Sequence, residues 1–129
     1  MSSLLIEGYT SEEILALSNA ELNGIVLRDE PLVFRAGSAN MLGRFRVEGR
    51  VFLMELAHID GGGEGALPAL ASLARKYAAR EGLGAIEWRV HAVHCAKPNL
   101  KLRRVLERRG FQVRNVAGVG ECYFLRSPM

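Results

Sequence analysis

The sequence has few of the residues that would staple a small protein together, hold it in a membrane or mark it for export. Cysteine occurs only at positions 95 and 122, which excludes the disulfide framework of a small secreted domain. No apolar run approaches the roughly 20 residues of a membrane-spanning helix, since even residues 51–57 are interrupted by Glu55. The N-terminus lacks the basic and long apolar segments of a secretion signal. We therefore expect a cytoplasmic protein with reduced thiols and no contact with membranes.

Length and composition suit one globular domain over residues 1–129. Its 129 residues are enough to bury one core and too few for two. The chain is 49% hydrophobic and 24% charged, as globular proteins are on average. Its net charge of +3 is unevenly distributed: residues 1–30 contain six acidic groups and one arginine, whereas residues 97–129 contain eight basic groups and two acidic ones. The acidic N-terminal segment of one copy could attract the basic C-terminal segment of another, so a homodimer stays open.

The N-terminal half predicts one helix followed by an antiparallel meander. Thr10 and Glu13 have the spacing of a capping box, and the apolar residues after them form a helical stripe that ends near Gly24. Short apolar runs separated by turn residues then predict four strands, at residues 25–28, 32–36, 41–47 and 51–58. Links as short as these favour antiparallel neighbours.

The C-terminal half predicts helices that alternate with strands. One helix has its apolar face at Leu67, Leu70, Leu73, Ala74, Tyr77 and Ala78. A strand at 85–93, a helix opened by Pro98-Asn99 and closed by Gly110, and a hairpin of residues 111–116 and 122–125 complete the pattern. The predicted fold class is α/β, with a mixed sheet covered by helices.

Residues 59–68 lead from a strand through a glycine cluster into a helix, which predicts a phosphate site. Glycine lets backbone N–H groups turn toward an anion, and the helix N-terminus adds about half a positive charge. A Walker loop is excluded because no Gly-Lys-Ser/Thr follows. Gly61, Gly63 and Ala66 have the spacing of a dinucleotide-binding fingerprint, but that fold needs repeated parallel βαβ units and this chain offers one. An ordinary glycine-rich turn stays open.

Three stretches have the spacing of known motifs: Asp60-x-x-Gly63-x-Gly65, Leu42-Gly43, and Asn99-x-x-Leu102-x-x-Val105-Leu106-x-x-x-Gly110-Phe111. They resemble the loop motif, the Val-Gly of the third strand and the Asn-x-x-Ala-x-x-Leu-Tyr-x-x-x-Gly-Phe pattern of the GNAT superfamily of acyl-CoA-dependent N-acyltransferases. The order of elements resembles that family over the whole chain. The resemblance implies a GNAT-like fold: an N-terminal helix, a β-meander, a β-α-β-α unit and a C-terminal hairpin.

The resemblance also implies where acetyl-CoA or another acyl-CoA would bind. Loop amides would hold the pyrophosphate, the backbone of the preceding strand would pair with the pantetheine arm, and an asparagine on the next helix would steady that arm. The residues that take these roles here are Gly61, Gly63, Gly65, Ala66, Leu56, His58 and Asn99. A splay between strands 51–58 and 85–93 would hold the thioester. No metal is expected.

An amine acceptor is protonated at neutral pH, so acyl transfer to it needs a base. Glu55 lies within the strand that flanks the expected slot, and His58 ends that strand. Both are candidate catalytic residues. The alternative for Glu55 is a strand residue facing solvent, and for His58 a hydrogen-bonded strand terminus. Glu87 is a weaker candidate, since alternation with Trp88 points it away from the core.

Two further groupings suggest other roles. His91-x-x-His94-Cys95 has the residue types of a metal site, but no second His or Cys pair is near in sequence, and packing or solvent exposure is the alternative. The helix in residues 97–114 carries seven basic groups against Glu107, which suits an acidic partner, an acyl-carrier protein or nucleic acid or a solvated face. Phe111 is the only aromatic residue there, which disfavours nucleic acid.

Two functions follow. The first is an N-acyltransferase, with acetyl transfer from acetyl-CoA to an amine of a small molecule or protein. The second is a binding or regulatory module on the same fold that has lost catalysis and uses the basic helix. Asp60 and Leu106 motivate the second, because they stand where the family has Arg or Gln and the tyrosine that protonates the leaving thiolate.

Overall fold

One mixed sheet organises the molecule. The computed structural model describes residues 4–27, 30–36, 39–60, 66–93 and 100–129. Within these ranges the elements are β1 (Leu4–Ile6), β2 (Tyr9–Thr10), α1 (Ser11–Ala16), α2 (Asn19–Ile25), β3 (Leu32–Ala36), β4 (Ala39–Glu48), β5 (Val51–Asp60), α3 (Ala66–Glu81), β6 (Ala85–Val90), α4 (Leu100–Arg108), β7 (Gln112–Val116) and β8 (Gly120–Pro128). The strand order is β2-β1-β3-β4-β5-β6-β8-β7. Each neighbouring pair is antiparallel except β5 and β6, which confirms the predicted α/β class and mixed sheet.

The first helix begins as the sequence predicts. The Thr10 side chain accepts from the Glu13 N–H at 3.1 Å, and the Glu13 carboxylate accepts from the Thr10 N–H at 3.1 Å. This reciprocal pair satisfies two N–H groups that have no partner within the helix.

The N-terminal segment contains two helices, α1 and α2, where the sequence predicts one. Ser18 takes an extended backbone conformation and forms a second capping box with Glu21, which ends the first helix and begins α2. The strand predicted at 25–28 is wrong, because Ile25 is the last residue of α2 and Val26 is its C-cap. Apolar residues 25–27 have the pattern of a short strand, but the first of them ends the helix and the second caps it.

A short hairpin that the sequence patterns did not predict extends the meander. β1 and β2 are joined by Glu7 and Gly8, whose φ angles are 50° and 84°. Positive φ at both turn residues gives the twist that a two-residue hairpin needs. β1 then pairs with β3 and places Leu4 and Ile6 in the core.

The helices and one face of the sheet share a single apolar core. All six residues of the predicted α3 face are buried, and they belong to one cluster with Phe52 and Leu56 of β5 and Leu102 and Leu106 of α4. The Trp88 and Phe111 rings meet edge to face, with centroids 5.9 Å apart. Among the helices of the described ranges, none is long and apolar enough to cross a membrane.

The opposite face of the central strands is charged. Alternation along β4, β5 and β6 places Arg44, Arg46, Glu55, Glu87 and Arg89 on this face. Leu53 lies on the same face, opposite Arg46 and Glu87 of the neighbouring strands, and is only 2% exposed although it is outside the core cluster. We call these five side chains, together with His91, the charged face.

Candidate functional site

The parallel strands β5 and β6 part after Leu56 and Val90. These two residues are the last pair of the parallel ladder, and the His91 N–H continues it with a 2.8 Å hydrogen bond to the Leu56 carbonyl. The Ala92 N–H then turns back to the Val90 carbonyl, whereas β5 runs on beside β4 to Asp60. The pairing of the two strands therefore ends here, at the position where the family resemblance implies a slot.

The Leu56 side chain is fully buried, and its carbonyl already accepts from the His91 N–H. The pairing of the β5 backbone at Leu56 with a pantetheine arm therefore stays a prediction. Beyond β5, Ala66 is the first residue of the 16-residue helix α3, whose first turn contains no acidic side chain. This absence leaves the positive end of the helix dipole unopposed within that turn.

Several predicted site residues lie outside the described ranges. Gly61, Gly63, Gly65 and Asn99 are among them, as are the side chains of His58 and Ala66. Their assignments to acyl-CoA, and that of His58 as a base, stay predictions.

Glu55 lies beside the parting of the strands and points away from the core. Its side chain is 20% exposed, and its two oxygens have different partners. Oε1 accepts from Arg46 Nη2 at 3.2 Å, and Oε2 lies 3.3 Å from His91 Nε2. The carboxylate links a guanidinium on β4 to an imidazole at the end of β6. Ion pairs of this kind also form on the solvent face of a sheet, so the role of Glu55 as a base stays a prediction.

Glu55 and His91 open onto a groove of about 250 Å³. Its lining residues are Pro31, Leu42, Gly43, Arg44, Glu55, Ala57 and His91. The groove therefore lies on the charged face, where the ladder between β5 and β6 ends. It offers a cation, an anion and an imidazole over a floor of small and apolar residues, which suits a polar molecule with a protonated amine.

Glu87 belongs to a neighbouring ion-pair network. Its side chain is buried, with Oε2 2.7 Å from Arg89 Nη2 and Oε1 3.6 Å from Arg126 Nη1. The expectation that it points away from Trp88 is correct, since Trp88 belongs to the core cluster and Glu87 does not. Glu87 does not line the groove. Two arginines compensate the burial of its charge.

Cys122 is buried on β8, close to the charged face. Burial raises the pKa of its thiol, the Arg89 charge opposes that shift, and the charges of Glu55 and Glu87 add to it. A buried thiol with a raised pKa is a poor nucleophile. We therefore assign Cys122 to packing.

Arg103 joins α4 by hydrogen bonds to the residues that follow β6. Its Nε donates to the Ala92 carbonyl at 2.9 Å and its Nη2 to the Val93 carbonyl at 2.6 Å. One of the basic residues predicted to form a binding face is thus used internally. Lys101, Arg104, Arg108 and Arg109 remain on the exposed surface.

A metal site finds no support in the part of the chain that the structure covers. No group of three or more His, Cys, Asp or Glu residues there is arranged to hold a metal ion. His91 contacts Glu55, whereas His94 and Cys95 lie outside the described residues.

Sequence patterns identified Glu55 but missed its partners. The two-residue turn at Gly49 and Arg50 fixes the register of β4 and β5, and pairs Arg44 with Glu55. Arg46 lies on the same face, two residues along. The turn and the alternation of arginines in β4 were the signals that predict a guanidinium beside Glu55. No local signal brings His91 there, because its place depends on the parallel pairing of β5 and β6.

No family model and no curated protein sequence matches the chain. Among solved structures, the chain is similar over 98% of its length to 98% of Ard1 from Thermoplasma volcanium, at 10% identity and a TM-score of 0.48. It is similar over 94% of its length to 77% of a GNAT-family acetyltransferase from Listeria monocytogenes, at 15% identity and a TM-score of 0.40. It is also similar over 77% of its length to 60% of the PaiA N-acetyltransferase from Thermoplasma acidophilum, solved with coenzyme A, at 15% identity and a TM-score of 0.40.

Proposed function

We propose that the protein is an acyl-CoA-dependent N-acyltransferase that moves an acetyl group to an amine. The observation that carries the proposal is the parting of β5 and β6 after Leu56 and Val90, with a glycine-rich segment and the start of α3 directly after β5. The edge of β5 beyond its ladder with β6 suits the amide-bearing pantetheine arm. Glycine N–H groups before a helix suit the pyrophosphate.

The groove on the charged face is the proposed site for the acceptor. It meets the slot at Ala57 and His91, so an amine held there would lie close to a thioester between the strands. The Glu55 carboxylate attracts a protonated amine, and the ring of His91 is within reach of the same molecule. The acceptor must lose a proton before its nitrogen can attack, and this groove contains groups that take one.

The test of this proposal is binding and turnover of acetyl-CoA. We expect calorimetric titration to give a one-to-one complex. The variant Gly63→Asp should lower the affinity at least about tenfold, because it adds a negative charge where the pyrophosphate is expected. Gly24→Asp, on the exposed side of α2, is the matched control and should bind as the unmodified protein does. No binding at millimolar acetyl-CoA would exclude the proposal.

A second candidate is a binding module that has lost catalysis. Its supporting observation is that the Glu55 carboxylate is already engaged by Arg46, which holds it away from a role as a free base. Acetyl-CoA binding without turnover of any amine in a panel of polyamines, amino acids and lysine peptides would favour this candidate. The exposed basic residues of α4 would then be the place to seek an acidic partner.

A further inference from the structure

A second groove lies where α2 meets the end of α3. Its volume is about 380 Å³, which is larger than that of the groove on the charged face and in the range of sites that hold small molecules. The residues that line it are Asn19, Leu22, Asn23, Leu27, Val47, Tyr77, Glu81 and Leu83. None of them lines the groove on the charged face. We call this second site the α2–α3 groove.

The two grooves lie on opposite faces of the sheet. Val47 is two residues along β4 from Phe45 of the core cluster, so it shares the face on which the helices pack. Glu81 is the last residue of α3, whereas Ala66, the first, is expected to contact acyl-CoA. A helix of 16 residues is roughly 24 Å long. A ligand in the α2–α3 groove is therefore remote from the proposed reaction.

The lining of the α2–α3 groove combines apolar surface with polar groups. Val47 is 40% exposed, whereas Leu22 and Tyr77 are 2% and 8% exposed. An exposed valine beside nearly buried residues is apolar surface that a ligand can cover. Asn19 and Asn23 add amide groups from α2. A ligand that fits this lining has an apolar body and a polar end.

The charge of the α2–α3 groove is negative. Among the described residues that line it, Glu81 is the only charged one, and its side chain is 26% exposed. Glu81 also stands at the C-terminus of α3, where the helix dipole is negative. Both features favour a cation over an anion or a neutral molecule.

Two arginines lie near this end of α3, and both bind main-chain carbonyls. Arg80 Nη2 is 3.6 Å from Glu81 Oε1, and Arg80 Nη1 donates to a main-chain carbonyl of α1 at 2.8 Å. Arg50 Nη2 donates to the Gly82 carbonyl at 3.2 Å. Neither arginine lines the groove. A carboxylate accepts several hydrogen bonds and an exposed ion pair is weak, so Glu81 can bind a ligand beside Arg80.

We propose that the α2–α3 groove binds a small organic cation, an alkylammonium ion. Glu81 and the negative end of α3 bind the ammonium group, and the alkyl chain covers Val47. This site is separate from the proposed acceptor groove and does not depend on the protein being an acyltransferase. The ligand contacts both α2 and α3, so it stabilises a helix of seven residues that is too short to be stable alone.

The test uses butylammonium chloride, with butan-1-ol as the neutral ligand of the same shape, at constant ionic strength. Each is titrated into nitrogen-15-labelled protein. We expect saturable shifts of the main-chain amide signals of α2 and the end of α3, with a dissociation constant below about 10 mM for the cation. The alcohol should bind at least about tenfold more weakly, because it gains nothing from the Glu81 charge. No saturable shift with the cation, or equal affinity for the two ligands, would overturn the proposal.

Two pairs of variants locate the bound cation. Val47→Lys adds a positive charge to the groove and should weaken binding at least about tenfold. Val33→Lys is its matched control, since Val33 is 41% exposed and lies outside the groove. Glu81→Gln should weaken binding about fivefold or more, whereas Glu107→Gln, at an exposed carboxylate in the last turn of α4, should leave it unchanged. Equal losses within either pair would contradict binding in the α2–α3 groove.

Discussion

At residue 43 the sheet has room for a hydrogen atom and nothing larger. A Cβ built on Gly43 would lie 2.6 Å from Cζ of Phe34 and 3.1 Å from Cδ2 of Leu56. Both neighbours are completely buried, so neither can turn out of the way. Gly43 belongs to the Leu42-Gly43 pair that resembles a family motif. The structure supplies its physical reason, which is the packing of an aromatic ring across the strand.

Gly43→Ala should therefore destabilise the protein by about 1–3 kcal/mol, because it overpacks a closed core. Gly24→Ala is a matched control with the opposite expected sign, since a Cβ there meets nothing within 4 Å and residue 24 lies inside α2. That variant should gain about 0.5–1 kcal/mol. Urea unfolding followed by circular dichroism measures both changes. Equal effects of the two substitutions would contradict the packing explanation.

Among the elements, the N-terminal helices α1 and α2 owe their stability to their caps rather than to their length. α1 has six residues and α2 has seven, which is too short for a helix to be stable alone. Each begins with a capping box, and Arg80 of α3 donates to the Leu15 carbonyl at 2.8 Å, near the end of α1. Ser18 thus stabilises the junction between the helices as the N-cap of α2, and Arg80 stabilises it from the neighbouring helix.

Ser18→Ala should cost about 0.5–2 kcal/mol of stability, because it removes the acceptor for the Glu21 N–H. Ser11→Ala is the matched control, since Ser11 is the first residue of α1 and Thr10 provides the cap there. It should change the stability by less than about 0.5 kcal/mol. Thermal unfolding of the three proteins in parallel gives the comparison. A loss in Ser11→Ala as large as that in Ser18→Ala would show that the cap is not the cause.

The elements that the sequence predicts well are those whose signals are local. The apolar face of α3, strand β3 and the Thr10 cap follow from spacing alone, and each is found as expected. The second helix was missed because the apolar residues on either side of Ser18 keep a helical spacing. The pairing of β1 with β3 spans a long stretch of chain and has no local signature. For the same reason Glu55 could be found in the sequence, whereas its contact with His91 could not.

For the whole molecule, stability should fall in alkaline solution. Burial raises the pKa of the Cys122 thiol, and it raises the pKa of Tyr77 and Tyr123 as well. As the pH rises, these groups lose their protons first in the unfolded chain, where a thiol titrates near about 8.5. Their contribution to stability is therefore complete below that pH and is lost as the pH rises toward the folded-state values.

Cys122→Ala should make the free energy of unfolding less dependent on pH. The variant loses stability at every pH because it leaves a space in a packed interior. The informative quantity is the difference between about pH 7 and about pH 9.5, measured by urea unfolding under reducing conditions, and it should be smaller than in the unmodified protein. An unchanged difference would mean that the thiol does not contribute to the alkaline loss.

The parallel ladder between β5 and β6 separates two halves of the sheet that form at different stages of folding. β1 to β5 are connected by antiparallel pairs that lie before residue 61, so a nascent chain can begin to form this half early. β6 needs the completed crossover through α3, and β8 needs β6. Ladder partners such as Val51 and Ala85 lie 34 positions apart, little farther than Leu4 and Ala36 of β1 and β3. The need for α3, rather than the length of the loop, therefore delays this pairing. The proposed site, at the end of that ladder, would be among the last parts of the molecule to form.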